Sequence, residues 1–350
     1  MKALWGQILL NLKELSNVLG LSQTTVSRAL NGYPEVREET RRRVMAAAQA
    51  HNYRPNTRAK SLATGRSMAI GHVIPVVSRH EMVNPIFGDF IAGAGETYSK
   101  HGYDMLLSIV QDEDEERTYR ELKSKGSVDG IILHAPRLGD TRIRLLQEIG
   151  LPFVVHGRAS DEARDYSWLD VNNRRAFQRA TEFLLDLGHR RIALINGLED
   201  MDFALRRRQG YETAQAERGL TPLPHLMCAD EMTETNGYRH ARAMLAAKTP
   251  PTAFLVSSFI VALGVRRAIE DANLVLGRDI SVITHDDELS YLMNGEDVPV
   301  FTATRSSVRK AGLQLAEMLI HQIEHPEEPP AHMLLEAELV LGLSTGPVRK

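Results

Sequence analysis

The spacing of apolar residues divides the chain into two regimes. In the first, between residues 11 and 52, apolar positions recur at three- and four-residue intervals. Leu12, Leu15, Val18 and Leu19 form one stripe, and Val26, Ala29 and Leu30 form another. That period marks one face of an α-helix. Asn11 and Glu14 stand in capping-box spacing ahead of the first stripe, and Gly20 ends it. Ser22 is placed to cap a second helix, which Asn31-Gly32 terminates. A third helix is predicted from Glu38 through "EETRRRVMAAAQAHN", with Glu38 and Glu39 at the positive end of its dipole. Two short helices joined by a tight turn, with a third packed across them, make a helix-turn-helix unit.

The second regime begins at Met68. Short apolar runs alternate with longer stretches of helical period such as Phe87–His101 and Thr181–Gly188. The runs are "MAIGHVIPVV", "YDMLLSIV", "VDGIILHA", "PFVVHGR", "RIALING", "TAFLVSS" and "DISVITHDD". This is repeated βαβ, which predicts parallel sheets with helices on both faces, and there are enough units for two sheets. Ligands of such sheets bind beyond the carboxyl ends of the strands. Pro75, His134, Pro136, His156 and Arg158 stand there in the first half of this region. Asn196, Ser258 and Asp286 do so in the second, and Phe87 opens the first helix near the same end.

Charge separates the same two regions. The formal net charge is −3, yet residues 11–66 carry ten Lys/Arg and four Asp/Glu, leaving that stretch at +6 and the remainder at −9. A basic segment on an acidic body is built to meet a polyanion. The second helix, "QTTVSRAL", fits that role. Gln23, Thr24 and Arg28 project towards base edges, and arginine holds guanine through two parallel hydrogen bonds. The short hydroxyls of Ser22, Thr25 and Ser27 suit phosphates, and Asn31, Tyr53 and Asn56 join them as candidate phosphate contacts. A single cysteine, Cys228, excludes an internal disulfide framework and a thiolate metal cluster. The opening "MKALWGQILLNL" is too short to span a bilayer and lacks a small-residue cleavage site, so residues 1–10 read as a disordered leader and the protein as cytoplasmic.

The stretch "LKELSNVLGLSQTTVSRALNGYPEVREETRRRVMAAAQAHNYRPN" resembles the headpiece of the lactose-repressor/galactose-repressor (LacI-type) family. "RPNTRAKSLATGRSMAIGHVIP" resembles that family's hinge and first core strand, and "LGHRRIALI" its entry into a second lobe. Within the family, "LGLSQTTVSRALNGYPEV" is similar to repressors of α-glucoside and related sugar-uptake operons. The resemblance implies an all-α helix-turn-helix headpiece (11–55), a hinge helix (56–66) and an α/β two-lobed, periplasmic-binding-protein-like core (67–350). The first lobe is expected at about 67–168 and 300–325, the second at about 169–299 and 330–350. It further implies that "NTRAKSL" folds on operator DNA, with Leu62 wedged into a minor-groove base step and Arg58, Ala59 and Lys60 alongside it. In the core it implies a sugar effector held by Arg207 and Asp286, with Pro75, Phe87, His134, His156, Arg158 and Ser258 around it. Carboxylate and guanidinium groups pairing with vicinal hydroxyls, beside an aromatic face, suit a sugar. The implied partners are double-stranded operator DNA, a mono- or disaccharide and a second copy of the chain; no cofactor, metal or membrane is expected.

Four departures from the family pattern stand out. Arg37 replaces the usual Ser or Asn cap of the third helix. Ser258-Phe259 stands where Asn-Asp is common, "SRHEMVNPIFGDF" lengthens a connection, and His134, His156 and His285 enrich the cleft in imidazole. Other functions fit less well. "GLSTG" at 342–346 matches a hydrolase elbow, but no helix, acid or histidine can follow it in the required order. "HQIEH" at 321–325 lacks the glutamate beside the first histidine and a third ligand. A periplasmic sugar-binding protein shares the body but needs a signal peptide and no basic headpiece. A regulator controlled by a partner protein instead of a sugar is the remaining alternative.

Overall fold

The computed structural model describes residues 10–30, 32–51, 53, 65–75, 85–111, 114–159, 165–286 and 288–349. It separates into a helical unit that ends at Met68 and an α/β unit that begins at Ala69.

In the helical unit, α1 spans Leu12–Leu19, α2 Gln23–Leu30 and α3 Glu38–Ala50. The Asn11/Glu14 capping box is formed in both directions, and Gly20 closes α1 in the left-handed conformation at φ 64°. Ser22 accepts from the Thr25 amide at 3.0 Å and so caps α2. Leu15, Val26, Ala29, Val44 and Ala48 form the buried centre, with Leu12, Leu19, Leu21, Leu30 and Tyr53 packed against it. Val18, expected in the apolar stripe, instead points outward and is 55% exposed. At 100° per residue it falls beyond the arc that the other two helices cover. Arg37 makes no side-chain cap bond to α3. Two arginines of α3 close the unit instead: Arg43 Nη2 donates to the Leu19 carbonyl at 2.7 Å and Arg41 Nη2 to that of Tyr33 at 3.0 Å.

The α/β unit contains two six-stranded sheets. The first is built from β1 (Ala69–Pro75), β2 (Asp104–Val110), β3 (Gly130–His134), β4 (Phe153–His156) and β5 (Ser167–Val171), with α4 (Pro85–His101), α5 (Glu115–Ser124) and α6 (Thr141–Glu148) between them. The second contains β6 (Ile192–Asn196), β7 (Met227–Ala229), β8 (Ala253–Val256), β9 (Ser281–His285) and β10 (Thr302–Arg305). Its helices are α7 (Asn173–Asp186), α8 (Asp202–Glu217), α9 (Glu234–Leu245) and α10 (Phe259–Asp271). Then follow α11 (Val308–Glu324), β11 (His332–Leu335) and β12 (Glu338–Val340). The strand orders are β11-β5-β4-β3-β1-β2 and β12-β10-β9-β8-β6-β7, all parallel except β12 against β10.

Alternate side chains of one strand serve opposite layers. Phe254 and Val256 of β8 pack with α9 and α10, whereas Ala253 and Leu255 pack with α7 and α8. A strand covered on both faces must be apolar throughout, which is why these strands read as unbroken runs in the sequence. In the first lobe α4 and α11 approach backbone to backbone. A Cβ at Gly93 would be driven into the Arg309 carbonyl, and one at Gly312 into that of Phe90.

The chain passes between the lobes three times, at Asn172, at 306–307 and at 336–337. This corrects the expected boundaries. β10 was assigned to the first lobe but pairs with β9 of the second, Thr302 against Ile283. β11 was assigned to the second lobe but pairs with β5 of the first, Leu334 against Asp170. Each crossing takes one or two residues, so no change of composition marks it.

Candidate nucleic-acid face and ligand cleft

On the helical unit, α2 turns Val26 and Ala29 inward and leaves Gln23, Thr24 and Arg28 exposed. Arg28 Nη1 lies 4.0 Å from a Glu35 carboxylate, with both side chains about half exposed. Such a surface pair is worth ~0–1 kcal/mol and leaves the guanidinium available. Ser22 and Thr25 share a hydrogen bond of 2.8 Å at the start of the helix, and Ser27 sits half-buried beside them. The Tyr53 ring packs on the small core, and that burial raises its phenol pKa. Asn31, Asn56, Arg58, Ala59, Lys60 and Leu62 lie outside the described residues.

In the α/β unit the carboxyl ends of both sheets face a cleft of about 710 Å³. Pro75, Phe87, His134, His156, Arg158, Arg207, Ser258 and Asp286 all line it. Asn196 does not. Its amide is turned inward and donates to the Ala204 carbonyl at 2.8 Å, which shapes the entry to α8. Phe259, one half of the Ser258-Phe259 departure, packs edge-on to Phe301 in the lobe core, while Ser258 caps α10 at the cleft wall.

Arg207 is held from several sides of the cleft. Its Nε donates to Asn173 Oδ1 at 2.7 Å and its Nη1 to the Ser257 carbonyl at 2.9 Å. Nη2 lies 4.0 Å from Asp286, and the guanidinium stands 4.8 Å over the Phe203 ring. Burial lowers its pKa to about 10, against the pull of Asp286 and Asp170. Asp286 sits in the left-handed region at φ 50°. Ser306 donates to its Oδ1 at 2.5 Å, and His285 Nε2 is 3.1 Å from its Oδ2. Burial pushes this carboxyl upward, but His285, Arg207 and Ser306 outweigh it and hold the pKa below the usual range.

The remaining arginines are also matched. Arg158 pairs with Asp170 at 2.8 Å, Arg142 with Asp140 at 2.6 Å and with Glu115 at 2.9 Å, and Arg137 lies 3.7 Å from Asp200. Arg142 also donates to the carbonyls of His134 and Ala135. It thereby holds Ala135 at φ 44°, a conformation costing of order 1–3 kcal/mol outside glycine. At one margin of the cleft the two lobes touch where the Leu138 amide donates to the Asp200 carbonyl and the Asp202 amide to that of Pro136, each at 3.2 Å. Asp170, Asn173 and Phe203 escaped the sequence reading. The first two flank the end of β5, a five-residue strand that "SWLDV" does not announce.

The first lobe contributes imidazoles. His134 meets Phe87 edge-on at 5.3 Å, and His156 stacks on Phe90 at 4.5 Å. Burial lowers the pKa of His156 to about 4 and that of His72, behind them, to about 3, and drives His134 well below its ordinary value. All three are neutral at pH 7.

Two sequence motifs resolve as structural. Ser344 of "GLSTG" is fully buried, donating to the Val282 carbonyl at 2.5 Å and accepting from the Thr302 amide at 2.8 Å. His321 of "HQIEH" pairs with Glu328 at 2.8 Å. No cluster of three potential metal ligands occurs among the described residues, and none of their helices is long and apolar enough to cross a membrane.

Residues 11–56 match the family described as bacterial regulatory proteins, lacI family, and residues 181–345 match the periplasmic binding protein-like domain. Over 337 residues the chain is 46% identical to the HTH-type transcriptional regulator AglR of Rhizobium meliloti (strain 1021), covering 96% of this chain and 94% of that protein. Among solved structures, a transcriptional regulator CelR–cellobiose complex superposes with a TM-score of 0.71 at 26% identity, over 96% of this chain and 99% of that one. The lac repressor dimer bound to operator and the anti-inducer ONPF gives 0.82 at 24% identity, with the same coverage, a likeness of fold.

The neutral imidazoles make stability acid-sensitive. Their folded pKa values are depressed, so below about pH 6.5 the unfolded chain binds protons that the folded chain refuses, and stability falls as the pH drops towards about 4. Between pH 7 and pH 5 the loss is about 2 kcal/mol for His156 alone. Urea unfolding at the two pH values should therefore show a smaller difference in His156→Gln than in wild type. An equal difference would mean that His156 does not resist protonation in the folded chain.

Proposed function

The chain belongs to the LacI family of bacterial regulatory proteins, and on that premise we propose that it represses a carbohydrate-uptake operon and is switched by a neutral sugar held between its two lobes. It is a DNA-binding transcriptional regulator with a sugar-binding type of core. In this reading two copies of the chain present their α2 helices to the half-sites of a pseudo-palindrome, about 34–36 Å apart. The hinge segment 56–66 connects headpiece to core along the chain, and in this reading a change of lobe arrangement is passed through it to the affinity for operator. The protein works in the cytoplasm, on the chromosome.

The observation that carries the sugar reading is the charge balance of the cleft. Its lining holds eight carboxylates and four arginines, and each arginine already has a carboxylate within 4.0 Å. Among the described residues no arginine of the cleft is left over for a phosphate or a sugar acid, and their surplus of negative charge repels one. Hydroxyl groups are served well. Asp286 accepts from them, Arg207 has donors beyond its two hydrogen bonds, and the imidazoles can give or take one. Phe87 and Phe203 offer apolar faces to the C–H side of a pyranose. The CelR neighbour holds cellobiose, and a cleft of about 710 Å³ is of a size usual for small-molecule sites. An α-glucoside disaccharide is the class we favour, in line with the similarity of the headpiece to α-glucoside repressors.

Calorimetry with maltose, trehalose, sucrose and cellobiose tests this. At least one should bind the wild type, and Asp286→Ala should weaken it by about 1–3 kcal/mol by leaving buried hydroxyls unpaired. Sugar-free operator binding should survive that change. Tighter binding of glucose 6-phosphate or glucuronate than of any neutral sugar would overturn the charge argument. On the DNA side, Arg28→Ala should cost about 1–3 kcal/mol on operator and relax the preference at one base pair per half-site. Base-preference profiling reads this directly; an unchanged profile would reduce Arg28 to a phosphate contact.

A further inference from the structure

Behind the cleft wall of the first lobe, three polar side chains form a line. Tyr98 Oη lies 3.0 Å from His72 Nε2, and His72 Nδ1 lies 2.9 Å from His134 Nε2. Tyr98 on α4 is 1% exposed and His72 on β1 is 0% exposed, so both are withdrawn from bulk water. His134 closes the line at the end of β3, where it borders the cleft. Neither the Tyr98 nor the His134 side chain has another hydrogen-bond partner among the described residues.

From this geometry we propose that Tyr98 and His72 act as positioning residues that fix His134 as its Nδ1–H tautomer, so that the first lobe offers the ligand a hydrogen-bond donor at that point. The direction follows from counting protons. A phenol has one O–H to place, and His72 is its sole partner. Accepting from His72 would strand that O–H in the interior, at the desolvation cost of an unpaired donor. Tyr98 therefore donates, and His72 Nε2 accepts. A neutral imidazole with Nε2 as acceptor carries its proton on Nδ1. That proton goes to His134 Nε2, which becomes an acceptor in turn. His134 then carries its own proton on Nδ1, the nitrogen with no protein partner among the described residues. Burial keeps the phenol protonated and both imidazoles neutral, which the chain requires.

The consequence is polarity across the cleft. Asp286 on the second lobe can only accept, whereas His134 on the first can only donate. A sugar is then oriented by an oxygen lone pair towards His134 and a hydroxyl proton towards Asp286. The two outer residues never touch the ligand, and they act through the tautomer alone. This use of the donor rests on the sugar reading above; the tautomer itself does not.

The test needs no ligand. The full-length protein is labelled with ¹⁵N-histidine, and long-range ¹H–¹⁵N correlation spectra are recorded at pH 7.5. His72 and His134 should both show a protonated Nδ1 and an unprotonated Nε2. In Tyr98→Phe, which removes only the hydroxyl, both rings should move towards averaged tautomer shifts, while His189, bonded to Thr252 and Ser281 in the other lobe, keeps its own. A wild-type His134 protonated on Nε2 would overturn the proposal, and so would a Tyr98→Phe spectrum with His72 and His134 unchanged. Either result would leave the sugar titrations standing.

Discussion

A cation buried where two lobes meet must be neutralised and held, and Arg207 is that cation. Its three polar tethers come from different elements: Asn173 at the first crossing between lobes, Ser257 after β8, and Asp286 after β9. Isolated burial of a guanidinium costs several kcal/mol. The surroundings are therefore not free to drift. Phe203 and Phe177 cover the guanidinium, Ser306 and His285 hold the carboxylate, and Asp286 tolerates a left-handed backbone to keep its place. Ser306 lies on the second crossing and Asn173 follows the first, so the site is fastened to the segments that join the lobes. A ligand that pairs with Arg207 and Asp286 acts on those segments directly.

The helical unit answers a different constraint. Five buried side chains are a small core, and the unit keeps its shape through caps and arginine–carbonyl bonds as much as through burial. Arg41 and Arg43 are spent on the fold in this way. Arg28 meets only a weak surface pair. The basic count of the sequence thus overstates the charge available to a polyanion, and recognition is proposed to lie on the polar side of α2.

Much of this was legible in the sequence, for physical reasons. The helix-turn-helix is specified by local signals, caps and a 3.6-residue period, and these require no knowledge of the rest of the chain. The parallel strands are covered on both faces and so announce themselves as apolar runs. Because parallel sheets present their carboxyl ends together, the residues picked from strand ends share one cleft, all but Asn196, whose amide turns inward. What escaped is non-local. β5, β10 and β11 are short and partly polar, and only their pairing partners show which lobe they join. Asp170 and Asn173 were missed along with β5. Phe203 sits on α8 one turn before Arg207, where an aromatic reads as core. His72 looked like part of an apolar strand, and only the fold places Tyr98 and His134 at its two nitrogens.

The central claim is that one bound molecule in the cleft and one operator on the headpieces share a free energy. Linkage makes that claim symmetrical. The operator affinity of the full-length protein is to be measured with and without saturating disaccharide, and the disaccharide affinity with and without saturating operator duplex, at one salt concentration. With two clefts per operator, the change in operator affinity should equal the product of the changes in disaccharide affinity at the two clefts, with a coupling of about 5–150-fold. A disaccharide that binds the cleft with the same affinity whether or not operator is present would contradict the mechanism, however well each site behaves alone.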